Sequence, residues 1–340
     1  MVKVAVVGAG LFGSTTAVEL ARAGHQVDLF DAHRTIMYGA SSANCARLHM
    51  GYHYPRAPRN GMAQDATVFA QRFPGSAVAG RHFFVIAKSG SLTSPDEFLK
   101  YCTENDLPYR VWRPPVVRSD VGLCLQVPEV SVDLRKVRTQ LRAELLAERV
   151  QLHMGRVSLA ADRDDFEWTV HAGYGSTWPD PLTHEVCEIA VVRLGAHFAG
   201  PSIVCLDGPF GCIDPLPGTD LHLLYDVVHS IHSSNVGTTP LIPDHLVPLL
   251  DRGVVYTPHT RVEKMLQTAR GFLSGVGMPE YRGSMFTVRS VLPAVDATDE
   301  RPTLIRRDGR DIHVLAGKLG SAPSTAREVA TTIREAVPVG

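Results

Sequence analysis

Apolar and polar positions near the N-terminus alternate in blocks that predict a strand, a helix and a second strand. Val2 to Val7 is a β-branched run, as expected of a strand buried on both faces of a parallel sheet. Gly8-Ala-Gly10-Leu11-Phe12-Gly13 follows. Ser14 to Ala23 then carries Ala17, Leu20 and Ala21 at helical spacing, and Gly24 stands where a helix-terminating glycine belongs. Gln26 to Phe30 predicts the second strand, closed by Asp31.

Further along, the pattern predicts helices over Asn60 to Arg72, Pro95 to Asn105 and Val132 to Val150. The last places Leu134, Val137, Leu141, Leu145 and Leu146 on one face. Strands are expected at Arg81 to Ala87, Leu152 to Leu159 and Phe166 to Ala172. Apolar runs at Val186 to Leu194, Ser202 to Leu206 and Leu221 to Ile231, broken by Gly and Pro, predict an antiparallel sheet. Asp207 to Phe210 reads as a turn, and Pro243 to Asp251 and Arg261 to Phe272 as helices. Asp311 to Ala316 predicts a strand, and Gly317-Lys318-Leu319-Gly320 opens a helix from Ser321 to Ala336.

The glycine spacing adds chemistry. Gly8 permits a tight turn, Gly10 lets a pyrophosphate approach the backbone, and Gly13 lets the helix pack close to the strand. The N-terminus of that helix offers N–H groups and a positive dipole end to phosphates, with Leu11 and Phe12 in the turn leading into it as further cofactor-binding candidates. Asp31, with Ala32 after it, stands where an acid accepts a ribose hydroxyl. Strand, glycines, helix, strand and acid together predict a dinucleotide site of Rossmann type.

That motif does not separate a nicotinamide from a flavin cofactor. The loop from Tyr38 to Arg56, with Ser41, Ser42, Asn44, Cys45, Arg47 and Leu48, resembles the corresponding loop of the D-amino acid oxidase (DAO) superfamily. The glycine and sarcosine oxidases belong to that superfamily. The resemblance implies FAD, with Ser41, Ser42 and Asn44 at its phosphates and Arg47 near the isoalloxazine. It extends to Val157, whose backbone would meet the adenine, and to the Ala172-Gly173 step over the cofactor. At the C-terminal end it covers Arg289 and Gly317-Lys318-Leu319-Gly320, which has fewer glycines than the family block. The helix after that block would favour the negative charge of reduced flavin.

The implied fold class is α/β: a discontinuous Rossmann-type FAD-binding domain over residues 1–75, 130–180 and 285–340. An inserted, mainly antiparallel (α+β) substrate domain would occupy 76–129 and 181–284.

Composition narrows the setting. A formal net charge of -1 gives no electrostatic reason to expect nucleic acid or an anionic membrane as partner. No apolar run of about 20 residues exists to span a bilayer, and no secretory leader is visible. Six scattered cysteines without a CxxC pair read as reduced thiols, so a cytoplasmic location is expected. The pattern leaves oligomeric state open.

Several residues are candidates for catalysis. Arg289 is placed by the resemblance to hold a substrate carboxylate; it reads equally as a structural arginine. Arg47 would lie over the flavin or pair with FAD phosphate. His49 and His53 would hydrogen-bond a substrate amine or hydroxyl, with Tyr52 and Tyr54 lining the cavity. A metal is not expected: residues four apart share a face only on a helix, which Gly51, Tyr52 and Pro55 disfavour. His222, His229 and His232 match no metal signature. Cys45 is either a flavin attachment point or a small buried thiol, and Lys318 either reaches the flavin or is solvated.

The expected function is FAD-dependent oxidation of a small polar amine, amino acid or related biosynthetic intermediate. Hydride would pass to flavin N5, with O2 as acceptor. Alternatives are oxidation of an alcohol or sugar-like intermediate with His49 or His53 as base, a redox-silent flavin-fold binding protein, and a nicotinamide dehydrogenase sharing only the N-terminal motif.

Overall fold

The computed structural model describes residues 1–56, 61–155, 165–208, 210–293 and 301–336. The N-terminal run forms the strand Lys3–Val7 at the centre of a six-stranded sheet. It pairs in parallel with Gln26–Asp31 on one side and Trp168–His171 on the other. Gln151–Met154 continues the parallel order beyond Gln26–Asp31, and Asp311–Leu315 continues it beyond Trp168–His171. Leu304–Asp308, which the apolar pattern did not single out, closes the sheet antiparallel to Asp311–Leu315. The phosphate-loop helix starts directly after Gly10, at Leu11–Arg22, earlier than the expected Ser14. It packs with Leu134–Ala147 and Ala322–Ala336 around a core that includes Val18, Leu20, Val137, Leu141, Leu145, Val329 and Ile333.

The second layer is a larger sheet of nine strands. Leu182–Arg193, as long as its neighbour Glu280–Val291, alternates buried and half-buried positions along most of its length as a one-faced strand does. Glu280–Val291 pairs along its whole length, so the expected boundary at residue 285 falls inside one continuous strand. The expected strand Leu221 to Ile231 is instead two, His222–Asp226 and Ile231–Gly237, joined by a turn. That turn is held by Asp226, whose carboxylate accepts from the backbone of Val228 at 2.9 Å and from that of His229. The sheet is antiparallel apart from the pair Arg81–Ile86 and Pro201–Leu206. Leu123–Val127 also joins it, beside Arg81–Ile86.

Helix ends follow local chemistry. Pro95–Glu104 opens on a capping box between Ser94 and Glu97. The expected helix from Pro243 to Asp251 shortens to one 3₁₀ turn, Val247–Leu249, with Pro248 inside it. Met62–Arg72 and Val262–Arg270 form within the expected spans.

A small sheet joins the two layers. Arg47–Leu48 and Ala77–Val78 both pair with Val130–Val132. This pairing carries the polar loop after Asp31 against the large sheet. Among the described residues no helix is long and apolar enough to cross a membrane.

Candidate active site

The glycines are held where their spacing predicts. Gly8 has φ +106°, and a Cβ there would lie 2.5 Å from the Ala172 carbonyl oxygen. A Cβ on Gly13 would lie 1.7 Å from the Gly8 carbonyl oxygen. Strand, helix and the Ala172-Gly173 step therefore meet at a spacing only glycine allows. A Cβ on Gly10 would come 3.0 Å from Ser41 Oγ, so this glycine keeps the helix start open. The helix has no acidic residue in its own first turn, so its positive end is available to a phosphate. This cradle fits a pyrophosphate.

Around it, Asp31 Oδ2 accepts from the Ala9 N–H at 2.6 Å. Its Oδ1 accepts from the His33 backbone N–H at 2.7 Å and lies 3.0 Å from His33 Nδ1. Ser41 Oγ accepts from Leu11 N–H at 2.9 Å, tying the loop to the helix start. Ser42 donates to the Gly39 carbonyl, and Asn44 donates to the carbonyls of Ala40 and Ser41. Their side chains thus shape the loop as well as border the cradle. Phe12 and Leu11 are buried beneath it, whereas Ala32 is exposed. Gly173 N–H donates to Thr177 Oγ1. Val157 lies outside the described residues.

Arg47 is held by the protein's own carboxylates. Its side chain is 1% exposed and its guanidinium is turned onto protein carboxylates. Nη2 donates to Asp214 Oδ1 at 2.7 Å and also to Ser202; Nη1 lies 3.5 Å from Glu129 Oε2. Tyr225 donates to the other oxygen of Asp214 at 2.7 Å. Asp214 and Glu129 hold the Arg47 pKa above its ordinary value against the pull of burial.

His49 and His53 come together. They sit on no helix, yet their rings meet edge to face with centroids 4.4 Å apart. With Glu129 they place ligand-type atoms within 4.8 Å of one another. Arg47 faces the same Glu129 oxygen, and Lys318 and Arg301 add positive charge around both rings, which disfavours a divalent cation. Burial first, then these cations, pushes both histidines well below their usual pKa, so they are neutral. Burial raises Glu129, and Arg47 opposes the rise.

These groups converge. His49 Nδ1, His53 Nδ1, Tyr54 Oη, Glu129 Oε2 and Arg47 Nη1 are all buried without a hydrogen-bond partner among the described residues. Buried polar atoms are rarely left so, and several together mark a place for a polar molecule. Lys318 Nζ lies over the Tyr54 ring at 5.0 Å, which brings the C-terminal Gly317–Gly320 step to the same cluster. Gly317 is packed so tightly that a Cβ would lie 2.3 Å from the Arg301 carbonyl oxygen. Leu319 packs on the apolar core, and Leu48 alternates with Arg47 and faces that core too. Cys45 Sγ is 4.0 Å from His49 Nε2, and burial raises its thiol pKa.

Arg289 is paired within the protein. Its guanidinium is bonded to Glu185 Oε2, at 2.6 Å from Nε and 2.5 Å from Nη2, across the pair of long strands. The carboxylate it holds here is the protein's own. Glu129, Asp214, Ser202, Tyr225 and His82 were not singled out by spacing. The available signal was Asp214 inside the apolar strand Gly211–Pro215 and Glu129 between Val127 and Val130: acids in runs that should be buried.

The chain resembles known proteins in sequence and in fold. The chain is 24% identical over 341 residues to FAD-dependent monooxygenase FPY4 of Fusarium mangiferae, covering 92% of this chain and 86% of that one. Its fold superimposes on glycine oxidase from Geobacillus kaustophilus with a TM-score of 0.71 at 15% identity, over 100% of this chain and 96% of the other. L-α-glycerophosphate oxidase from Mycoplasma pneumoniae, solved with FAD bound, gives a TM-score of 0.72 at 13% identity over 98% and 95%. Residues 3–202, more than half of the chain, match the profile of the DAO family, FAD dependent oxidoreductase. With the glycine cradle built for a dinucleotide and a buried polar cluster beside it, the chain belongs to the DAO family and is an FAD-dependent oxidoreductase.

Proposed function

We propose that the protein oxidises a small polar amine or amino acid at the carbon beside nitrogen, with O2 as final acceptor. The observation that carries this reading is the neutral, buried pair His49 and His53, with the unpartnered Tyr54 Oη beside them, inside a cationic surround. An amine reaches the site largely as ammonium and must lose a proton before its carbon is oxidised. A neutral imidazole has a lone pair to take that proton once a carboxylate on the donor offsets the cations that otherwise lower its basicity. Lys318 and Arg301 supply positive charge that favours a carboxylate on the same donor. FAD, when bound, supplies the hydride acceptor. Gly8, Gly10, Gly13, Asp31 and Ser41 would hold its dinucleotide part. The chain's remaining work is to orient the donor, exclude water and take the proton.

The test is anaerobic mixing of the purified yellow protein with amines and amino acids. Bleaching of the flavin band, followed by peroxide release in air, supports the reading. No bleaching by any amine overturns it.

A second reading is oxidation of an alcohol. It is favoured by Glu129 Oε2 lying 3.8 Å from His49 Nδ1, since a carboxylate-backed imidazole suits removal of a hydroxyl proton. Bleaching by hydroxy acids or polyols, with amines inert, selects it.

A further inference from the structure

We propose that Glu129 is a positioning residue that fixes the proton of His49 on Nδ1 and so leaves Nε2 as the nitrogen that accepts the donor's proton. This rests on the reading of His49 as proton acceptor, for either donor class.

The geometry points one way. Glu129 Oε1 accepts from the Met50 backbone N–H at 2.8 Å, so the carboxylate is anchored one residue from the histidine it faces. Its Oε2 lies 3.8 Å from His49 Nδ1, and neither atom has another hydrogen-bond partner among the described residues. Both side chains are nearly sealed, at 0% and 6% exposure, so bulk water does not compete. On the other side of the ring, Nε2 lies 4.0 Å from the Cys45 thiol, a weak partner. The charged and titratable groups around His49 are Arg47, Lys318, Arg301, His82 and His53. The cations among them oppose an imidazolium, so His49 carries a single proton at rest. Glu129 Oε2 is an acceptor facing Nδ1. Arg47, 3.5 Å from the same oxygen, is a donor only and sustains the carboxylate's acceptor character. A separation of this size closes to a hydrogen bond with a small side-chain movement, as catalytic contacts do when a site fills.

The arrangement is that of a base oriented by a carboxylate through its far nitrogen. It makes a specific demand on substitution. In Glu129→Gln the amide oxygen can keep the Met50 hydrogen bond, and the amide N–H₂ then faces His49 Nδ1. A donor in that place turns Nδ1 into an acceptor and moves the proton to Nε2, blocking the nitrogen that should take the donor's proton.

The experiment is ¹⁵N NMR of histidine-labelled, FAD-loaded full-length protein, with His49 assigned through His49→Asn. We expect the Nδ1–H tautomer in the native protein and the Nε2–H tautomer in Glu129→Gln. With a donor in hand, kcat should fall by about 10²–10⁴-fold while KM changes far less. Nε2–H in the native protein overturns the proposal, and needs no variant to fold. Nδ1–H retained in Glu129→Gln also overturns it. If no donor bleaches the flavin, the functional reading fails while the tautomer still decides the role of Glu129.

Discussion

Arg47 donates from Nη2 to Asp214 Oδ1 at 2.7 Å, joining the loop after the dinucleotide cradle to the large sheet, with neither side chain more than 2% exposed. Removing one partner of such a pair leaves a buried charge alone. We expect Asp214→Ala to destabilise the protein by about 3–5 kcal/mol, because the Tyr225 and Ser202 hydrogen bonds to Asp214 go with it. Urea unfolding measures this. A loss below about 1 kcal/mol would mean that Arg47 has another home in solution.

The glycine cradle separates stability from cofactor binding. Gly13→Ala drives a Cβ into the Gly8 carbonyl, so we expect little folded protein. Gly10→Ala places its Cβ at 3.0 Å from a serine hydroxyl that can turn aside, so the fold survives and FAD binding weakens. Flavin content per folded protein, read from the visible spectrum, distinguishes the two. Equal flavin content in Gly10→Ala and the native protein would count against a pyrophosphate at this helix start.

His82 makes stability depend on pH. It is 1% exposed, and burial lowers its pKa to about 3, whereas an unfolded histidine titrates near its ordinary 6.5. Below pH 6.5 the unfolded chain binds a proton that the folded chain refuses. Stability present above that pH is therefore lost on acidification, at up to about 1.4 kcal/mol per pH unit. Glu129, whose pKa is raised, contributes with the opposite sign, so the native curve alone is ambiguous. The difference between native protein and His82→Gln isolates the term. It should slope across pH 6 to 4, and a flat difference would show His82 charged in the folded state.

Cys45 lies within reach of the polar cluster, but burial and Asp214 raise its pKa and keep it as a thiol. Attack on an electrophile requires thiolate. We expect acid precipitation to release the flavin into the supernatant, and Cys45→Ser to leave flavin content unchanged. Colour left in the native pellet and lost from the Cys45→Ser pellet would establish a covalent link.

Oxygen is the expected final acceptor, and the chemistry of its use is measurable. One peroxide per donor oxidised supports a simple oxidase. Labelled oxygen found in the product would instead place the chain's chemistry with a monooxygenase, the activity named for the fungal relative FPY4.

Much of the parallel sheet was legible because its signals are local. A β-branched run, glycines at fixed spacing and an amphipathic stripe report conformations that a few neighbouring residues decide. Where local signals compete, reading them is less secure. Pro248 cut the expected helix at 243–251 to one turn, and Asp226 split an apolar run into two strands by capping the turn between them. Helix spacing was the wrong criterion for His49 and His53, because a folded loop brings their rings together as well as a helix would.

The sequence by itself determined the dinucleotide cradle, since φ at Gly8 and the close approach at Gly13 are demands that glycine alone meets. Only the tertiary structure decided what Arg47, His49 and Arg289 face. Arg47 and Asp214 are 167 positions apart, and Arg289 and Glu185 are 104. An ionisable side chain takes its role from whichever charge is folded against it, and no periodicity along the chain encodes that partner.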